Sequence, residues 1–222
     1  MRGCFGRLFV ICVLCLARNI AGKKYIALLG GTGGVGRKFI DLALDRGHYV
    51  KALVRTPSKL SNIEDSNLEI VKGDSTCLDD VKRVVRGTDV LVSCVGNKGS
   101  ELVMEKTAGN IVQAKPRRSI VLSSLGLGGT SNALKSVFYM LVGKKAVEDY
   151  ENADEILRNS KTPSVTVVRP TGLSNASARK KYDATNETSF RFTRRIPRAD
   201  VALFLADMLE NTEWDGKCVQ LY

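Results

Sequence analysis

The feature that most constrains this chain is seven residues long: Gly30-Gly31-Thr32-Gly33-Gly34-Val35-Gly36. It follows an apolar run at 24–30 (KYIALLG) and opens a stretch, 34–46, whose Val35, Phe39, Ile40 and Ala43 share one helical face. Five glycines in seven residues suit a backbone that must turn tightly and be approached closely. Positions 30, 33 and 36 give G-x-x-G-x-x-G: the first glycine for the turn, the second for access of a pyrophosphate to backbone N–H groups, the third for packing of helix on strand. The helix N-terminus then faces the negative charge. A merely glycine-rich turn does not explain that placement. All seven residues, Gly30, Gly31, Thr32, Gly33, Gly34, Val35 and Gly36, are therefore expected around a dinucleotide pyrophosphate.

The rest of the chain alternates short apolar runs with helical patterns. Strands are expected at 24–30, 49–54, 68–72, 88–95, 119–123 and 164–169. Their nearly continuous apolar character is that of parallel strands covered on both faces. Helices are expected at 34–46, 77–86, 101–114, 133–159 and 199–210, and 172–195 reads as an irregular polar segment with one short hairpin. The pattern predicts an α/β protein: a single Rossmann-type, doubly wound parallel sheet with helices on both faces, and a substrate-side segment at about 172–198. With 222 residues and no linker, residues 23–222 form one domain.

The end of the second strand selects the cofactor. An NAD-preferring site places Asp or Glu there for the ribose 2′-OH. This chain has Arg55, Thr56, Ser58 and Lys59, cations and hydroxyls suited to a 2′-phosphate, so NADP(H) is expected. Asp74 and Ser75 follow the third strand, where a side chain reaches the adenine, and Val95-Gly96-Asn97 closes the fourth beside the ribose.

These residues together resemble a known family. GGTGGVG, LVR at 53–55, KGD at 72–74, SCVG at 93–96, VLSSLG at 121–126 and VVRPTGL at 167–173 are similar to the atypical short-chain dehydrogenase/reductases. The NAD(P)H-binding, NmrA-like branch, which includes biliverdin-IXβ/flavin reductase, is nearest. The resemblance implies contacts from Arg55, Ser58 and Lys59 to the 2′-phosphate and from Asp74 and Ser75 to the adenine. It implies that Val95, Gly96, Met104, Ser123 and Ser124 line the ribose and nicotinamide, with Thr171 and Gly172 against the carboxamide. The chain departs from the usual short-chain dehydrogenase in one respect: four residues after Tyr139, Tyr150 and Tyr182 stand Gly143, Asp154 and Asn186, so none gives Tyr-x-x-x-Lys. Hydride transfer to a flavin, quinone or bilin needs no such pair, because the cofactor carries the chemistry and solvent supplies protons. Ser124 (orienting), Tyr150 and Lys145 are the candidate catalytic side chains. Two functions follow: an NADPH-dependent reductase of a planar, conjugated, anionic or aromatic acceptor, or a non-catalytic NADP(H)-binding redox sensor or organelle assembly factor. A sugar-nucleotide epimerase would want the missing pair and a larger substrate domain.

Residues 1–22 read as a signal-like leader. Arg2 and Arg7 precede an apolar run from Leu8 to Ala17, with small residues for cleavage after Ala17 or Ala21. The run is shorter than the roughly 20 apolar residues of a membrane span. Such a leader sends the chain into the secretory route or an organelle, with an organelle lumen favoured. Of the +11 formal charge, Arg2, Arg7 and Arg18 lie in the leader, so +8 remains in the domain. That charge suits anionic small molecules, while its scatter and the lack of a recognition motif argue against nucleic acid. Cys77, Cys94 and Cys218 are expected as buried thiols without metal spacing, and His48, between helix and strand, is without an evident partner.

Overall fold

The structure, a computed structural model, describes residues 22–124, 139–140, 143–160, 164–186 and 195–222. Its strands are β1 (Tyr25–Leu29), β2 (Tyr49–Val54), β3 (Leu68–Lys72), β4 (Val90–Ser93), β5 (Ser119–Leu122), β6 (Val165–Pro170), β7 (Leu173–Ser174), β8 (Ala184–Thr185), β9 (Ile196–Pro197) and β10 (Cys218–Leu221). The α-helices are α1 (Gly34–Asp45), α2 (Leu78–Val85), α3 (Met104–Ala114), α4 (Lys144–Arg158) and α5 (Arg198–Asp207).

Eight strands make one sheet in the order β3-β2-β1-β4-β5-β6-β10-β8, parallel except for β8, which runs antiparallel to β10. The order reverses direction between β1 and β4, and a doubly wound sheet opens a crevice at that point. Side chains of β1 explain the two layers. Ile26 and Leu28 face one core with Phe39, Ile40, Phe204 and Leu205 of α1 and α5. Ala27 and Leu29 face the other, with Val81, Ile111, Ala153 and Leu157 of α2, α3 and α4. Both halves of the strand are buried, which is why the sequence run shows no polar alternation.

Several boundaries differ from expectation, each for a tertiary reason. The fourth strand begins at Val90, not 88, because Thr88 bonds back to Val85 and Asp89 accepts the Tyr25 N–H at 2.9 Å. It ends at Ser93, where the chain turns towards the crevice. The third helix starts at Met104 rather than 101: the Asp149 carboxylate of α4 accepts the N–H groups of Met104 and Glu105 at 3.0 and 3.1 Å, capping it from outside. Of the helix expected at 133–159, residues 139–140 are helical and α4 begins at Lys144, after Gly143 at φ +94°; residues 133–138 and 141–142 lie outside the described residues. The helices expected at 77–86 and 199–210 run Leu78–Val85 and Arg198–Asp207.

The expected hairpin within 172–195 is not formed by the described strands. β7 pairs in parallel with β9 and β8 joins β10, so the segment is divided between two sheets. Residues 179–182 are pinned to α5, where the buried Asp200 carboxylate accepts the N–H groups of Arg179 and Lys180 and Asp207 accepts the Tyr182 hydroxyl at 2.7 Å; residues 187–194 lie outside the described residues. β10 was not anticipated: its Val219 and Leu221 are fully buried beside β6, with half-buried Cys218 and Gln220 between them.

Cys77, expected to be buried, is exposed at the start of α2. His48 does have partners: its Nδ1 accepts the Lys24 N–H at 3.3 Å and its Nε2 lies 3.9 Å from Glu210. Burial holds its pKa below the usual histidine value, and Glu210 opposes that shift.

Candidate dinucleotide site

The carboxyl ends of β1 to β5 surround a cavity of about 530 Å³ at the switch point. Its floor is the glycine loop. Gly30 has φ +75°, and a Cβ there would lie 2.6–2.7 Å from the backbone of Cys94 and Val95, so no larger residue fits. A Cβ on Gly36 would lie 2.3 Å from the Gly30 carbonyl oxygen; the third glycine is what lets α1 start against the loop. Gly33 donates its N–H to the Gly30 carbonyl at 3.0 Å and closes the turn. Among the described residues no side chain caps α1, and no acid stands in its first turn, so its leading N–H groups point to the cavity without a built-in anion.

Arg198 adds a cation that was not among the expected cofactor contacts. It begins α5, yet its Cδ lies 2.7 Å from the place a Gly34 Cβ would take, and the side chain lines the cavity. Its Nη1 donates to Asn175 Oδ1 at 2.8 Å, which holds it over the phosphate loop. In the sequence it stands at the end of a basic stretch, 179–198, and at a helix start, which favours a structural reading; its place after β9, which pairs beside the crevice, is what brings it here.

At the β2 end, Arg55 and Lys59 line the cavity, and Arg37 of α1 fixes the turn that carries Lys59 by donating to the Lys59 carbonyl and to Asn62. Arg55 is ion-paired with Glu101 from the far wall. At the β3 end, Asp74 uses its Oδ1 to hold the Thr76 N–H and hydroxyl at 2.8 and 2.9 Å. Ser75 lies 3.0 Å from the Thr107 hydroxyl, and its carbonyl accepts Asn110. Both residues line the cavity.

The β4 and β5 ends form the remaining wall. Val95, Gly96, Asn97 and Ser123 line it, together with Tyr150 from α4. A Cβ on Gly96 would stand 3.2 Å from the Tyr150 hydroxyl oxygen, so glycine is what admits the tyrosine. That oxygen accepts the Asn97 N–H at 3.3 Å, leaving its own proton directed elsewhere. Burial, reinforced by Asp149, raises the Tyr150 pKa above its ordinary value. The Ser123 hydroxyl is buried and has no hydrogen-bond partner among the described residues, a polar atom on the cavity wall.

Not every expected contact is brought here. Gly31 faces the core, with Leu28 and Ile40 3.1–3.2 Å from where its Cβ would be, and Gly36 supports the loop from behind. Ser58 is exposed and lies outside the lining, as do half-buried Ser124 and exposed Lys145. Met104 is buried in the core on the α3 face. Thr171 is buried, with its N–H on the Leu221 carbonyl, and Gly172 sits against Arg195; neither lines the cavity. At the position of the absent lysine, Asp154 is buried and binds Arg169 at 2.5 and 3.0 Å and Arg158 at 2.8 Å.

Residues 30–212 match the family described as NAD(P)H-binding. A 3 beta-hydroxysteroid dehydrogenase/isomerase of Mycobacterium tuberculosis is 30% identical over 109 residues, 49% of this chain and 27% of that protein. An isoflavone reductase homologue of Zea mays is 33% identical over 107 residues, 42% of this chain and 35% of that protein. The chain thus spans about a quarter to a third of the length of these curated relatives. The anaerobillin reductase of Escherichia coli shares the fold with a TM-score of 0.73 at 22% identity, covering 89% of this chain and 96% of that one. A short-chain dehydrogenase/reductase of Veillonella parvula, solved with NADP, gives 0.73 at 19% identity over 90% and 94%. The chain belongs to the NAD(P)H-binding family.

Proposed function

We propose that this chain is an NADP(H)-dependent oxidoreductase that reduces a planar, conjugated acceptor. One observation carries the reading: a dinucleotide cavity with cations at its 2′ end and, at its other end, a tyrosine whose expected lysine partner is replaced by a buried, fully engaged aspartate. The residues fit the cofactor. Gly30 and Gly36 leave a cradle that a Cβ would fill, and the Ser123 hydroxyl has no partner among the described residues.

The α1 N-terminus and Arg198 hold the pyrophosphate, Arg55 and Lys59 the 2′-phosphate, and Ser123 and Tyr150 orient groups beside the nicotinamide. When bound, the nicotinamide supplies the hydride. Tyr150, whose pKa burial raises, is a poor acid, so it orients the acceptor and solvent supplies the proton. The basic segment that includes Arg179 and Arg195 draws in an acceptor carrying phosphate or carboxylates. The anaerobillin reductase fold neighbour suits this acceptor class.

The test is NADPH oxidation against flavins, quinones and bilins, repeated in single turnover with Tyr150→Phe. The reading expects turnover with at least one acceptor and a loss below about tenfold in the variant. General acid catalysis contributes about 10²–10⁴-fold, so a larger loss with intact cofactor affinity identifies an acid. No turnover with any acceptor favours the binding-protein reading. We also propose that residues 1–22, nearly all outside the described residues, are removed on entry to an organelle lumen; an intact Met1 in native protein would refute this.

A further inference from the structure

We propose that Glu101 sets the cofactor preference by competing with the cofactor's 2′-phosphate for Arg55, so that binding is an exchange of one anion for another. This rests on the NADP(H) reading of the same site.

Glu101 belongs to the connection between β4 and α3, on the wall opposite β2. The connection is built to present it. Lys98 and Glu101 exchange two backbone hydrogen bonds, 3.3 and 3.1 Å, around Gly99 at φ +60°, making a tight reversal. Its base is tied by Asn97, whose Oδ1 accepts the Val103 N–H at 3.0 Å and whose Nδ2 donates to Asp149 at 2.8 Å. The Glu101 carboxylate reaches across the mouth and takes the Arg55 guanidinium. Both residues line the cavity, so the pair lies where the 2′ end of a dinucleotide must pass.

The balance of charge makes the pair exchangeable. Arg55 and Glu101 have side-chain exposures of 54% and 45%, and an exposed pair is weak. A phosphate monoester carries about −1.5 to −2 charge and accepts a bidentate arginine, so it outcompetes one carboxylate. The displaced Glu101 then stays near the phosphate and repels it. NADH brings no such group and leaves the pair intact. The wild-type preference for NADP(H) is therefore smaller than Arg55 and Lys59 alone would give.

The full chain and its Glu101→Gln, Glu101→Lys and Arg55→Gln variants are titrated with NADPH and NADH. Glu101→Gln is expected to tighten NADPH roughly two- to fivefold, the factor that an exposed ion pair is worth. Glu101→Lys should tighten it further, with NADH unchanged in both. Arg55→Gln should weaken NADPH. If Arg55→Gln weakens NADPH but both Glu101 variants leave it unchanged, the exchange is refuted and the NADP(H) reading stands. If NADH binds as tightly as NADPH and Arg55→Gln affects neither, both are overturned. A weakening of NADPH by Glu101→Gln would show that Glu101 supports the site rather than competing for Arg55, which also overturns the proposal.

Discussion

Gly30 and Gly47 share a backbone conformation but not an environment, and replacing each with alanine separates the two demands placed on the phosphate loop. Their φ angles are +75° and +77°. A Cβ on Gly47 meets nothing within 4 Å, whereas one on Gly30 meets the Cys94 carbonyl carbon and oxygen and the Val95 nitrogen at 2.6–2.7 Å. Gly47→Ala therefore incurs only the left-handed backbone cost, about 1–2 kcal/mol. Gly30→Ala incurs that cost plus an overlap with the backbone just past the end of β4, which cannot rotate away. Overpacking costs about 1–3 kcal/mol, so the total is about 2–5 kcal/mol. The overlap is relieved only if the β1 and β4 ends move apart, which displaces the N–H groups lining the pyrophosphate site. Urea unfolding and NADPH titration of both variants are the assays. Gly47→Ala should lose stability and keep its cofactor affinity; Gly30→Ala should lose more stability and bind NADPH at least tenfold more weakly. Equal losses of stability with equal, unchanged affinity would refute the close approach as the reason for this glycine.

Three further outcomes follow from named contacts. Asp154→Ala strands the buried Arg169 and should cost about 3–5 kcal/mol, whereas Arg158→Ala, removing a partly exposed partner of the same carboxylate, should cost under about 1 kcal/mol by urea denaturation. His48 has a folded pKa below its unfolded value of 6.5, so the unfolded chain binds more protons; stability is fully present above pH 6.5 and declines as the pH falls towards the folded pKa, and His48→Gln should flatten that part of the profile. Arg198→Ala should weaken NADPH and NADH by the same factor, roughly tenfold for a hydrogen bond to a charged group, because the pyrophosphate it faces is common to both.

What could be read from the sequence was what local geometry demands. The strand–glycine–helix junction was legible because Gly30 and Gly36 answer to contacts within the loop and to the strand beside it. The inner strands were legible because residues such as Ile26 and Ala27 are buried on opposite faces of the sheet. Features set by distant residues were not. The start of α3 depends on Asp149, 45 residues beyond Met104. Arg198 lies at a helix start but serves the glycine loop at Gly34. Glu101 read as the first residue of a helix, whereas the turn at Gly99 places it on Arg55. β10 escaped notice because only two of its four residues are fully buried, and β6 beside it supplies the pairing that its short pattern could not announce.

The central claim is that the cavity binds NADP(H) in preference to NAD(H) through Arg55. Titration of the wild type and of Arg55→Asp with NADPH and NADH, at one fixed salt concentration, tests it most directly. Wild type should bind NADPH more tightly, and Arg55→Asp should lose about 2 kcal/mol or more towards NADPH, some thirtyfold, with little change for NADH. Equal or tighter binding of NADH by the wild type would contradict the account.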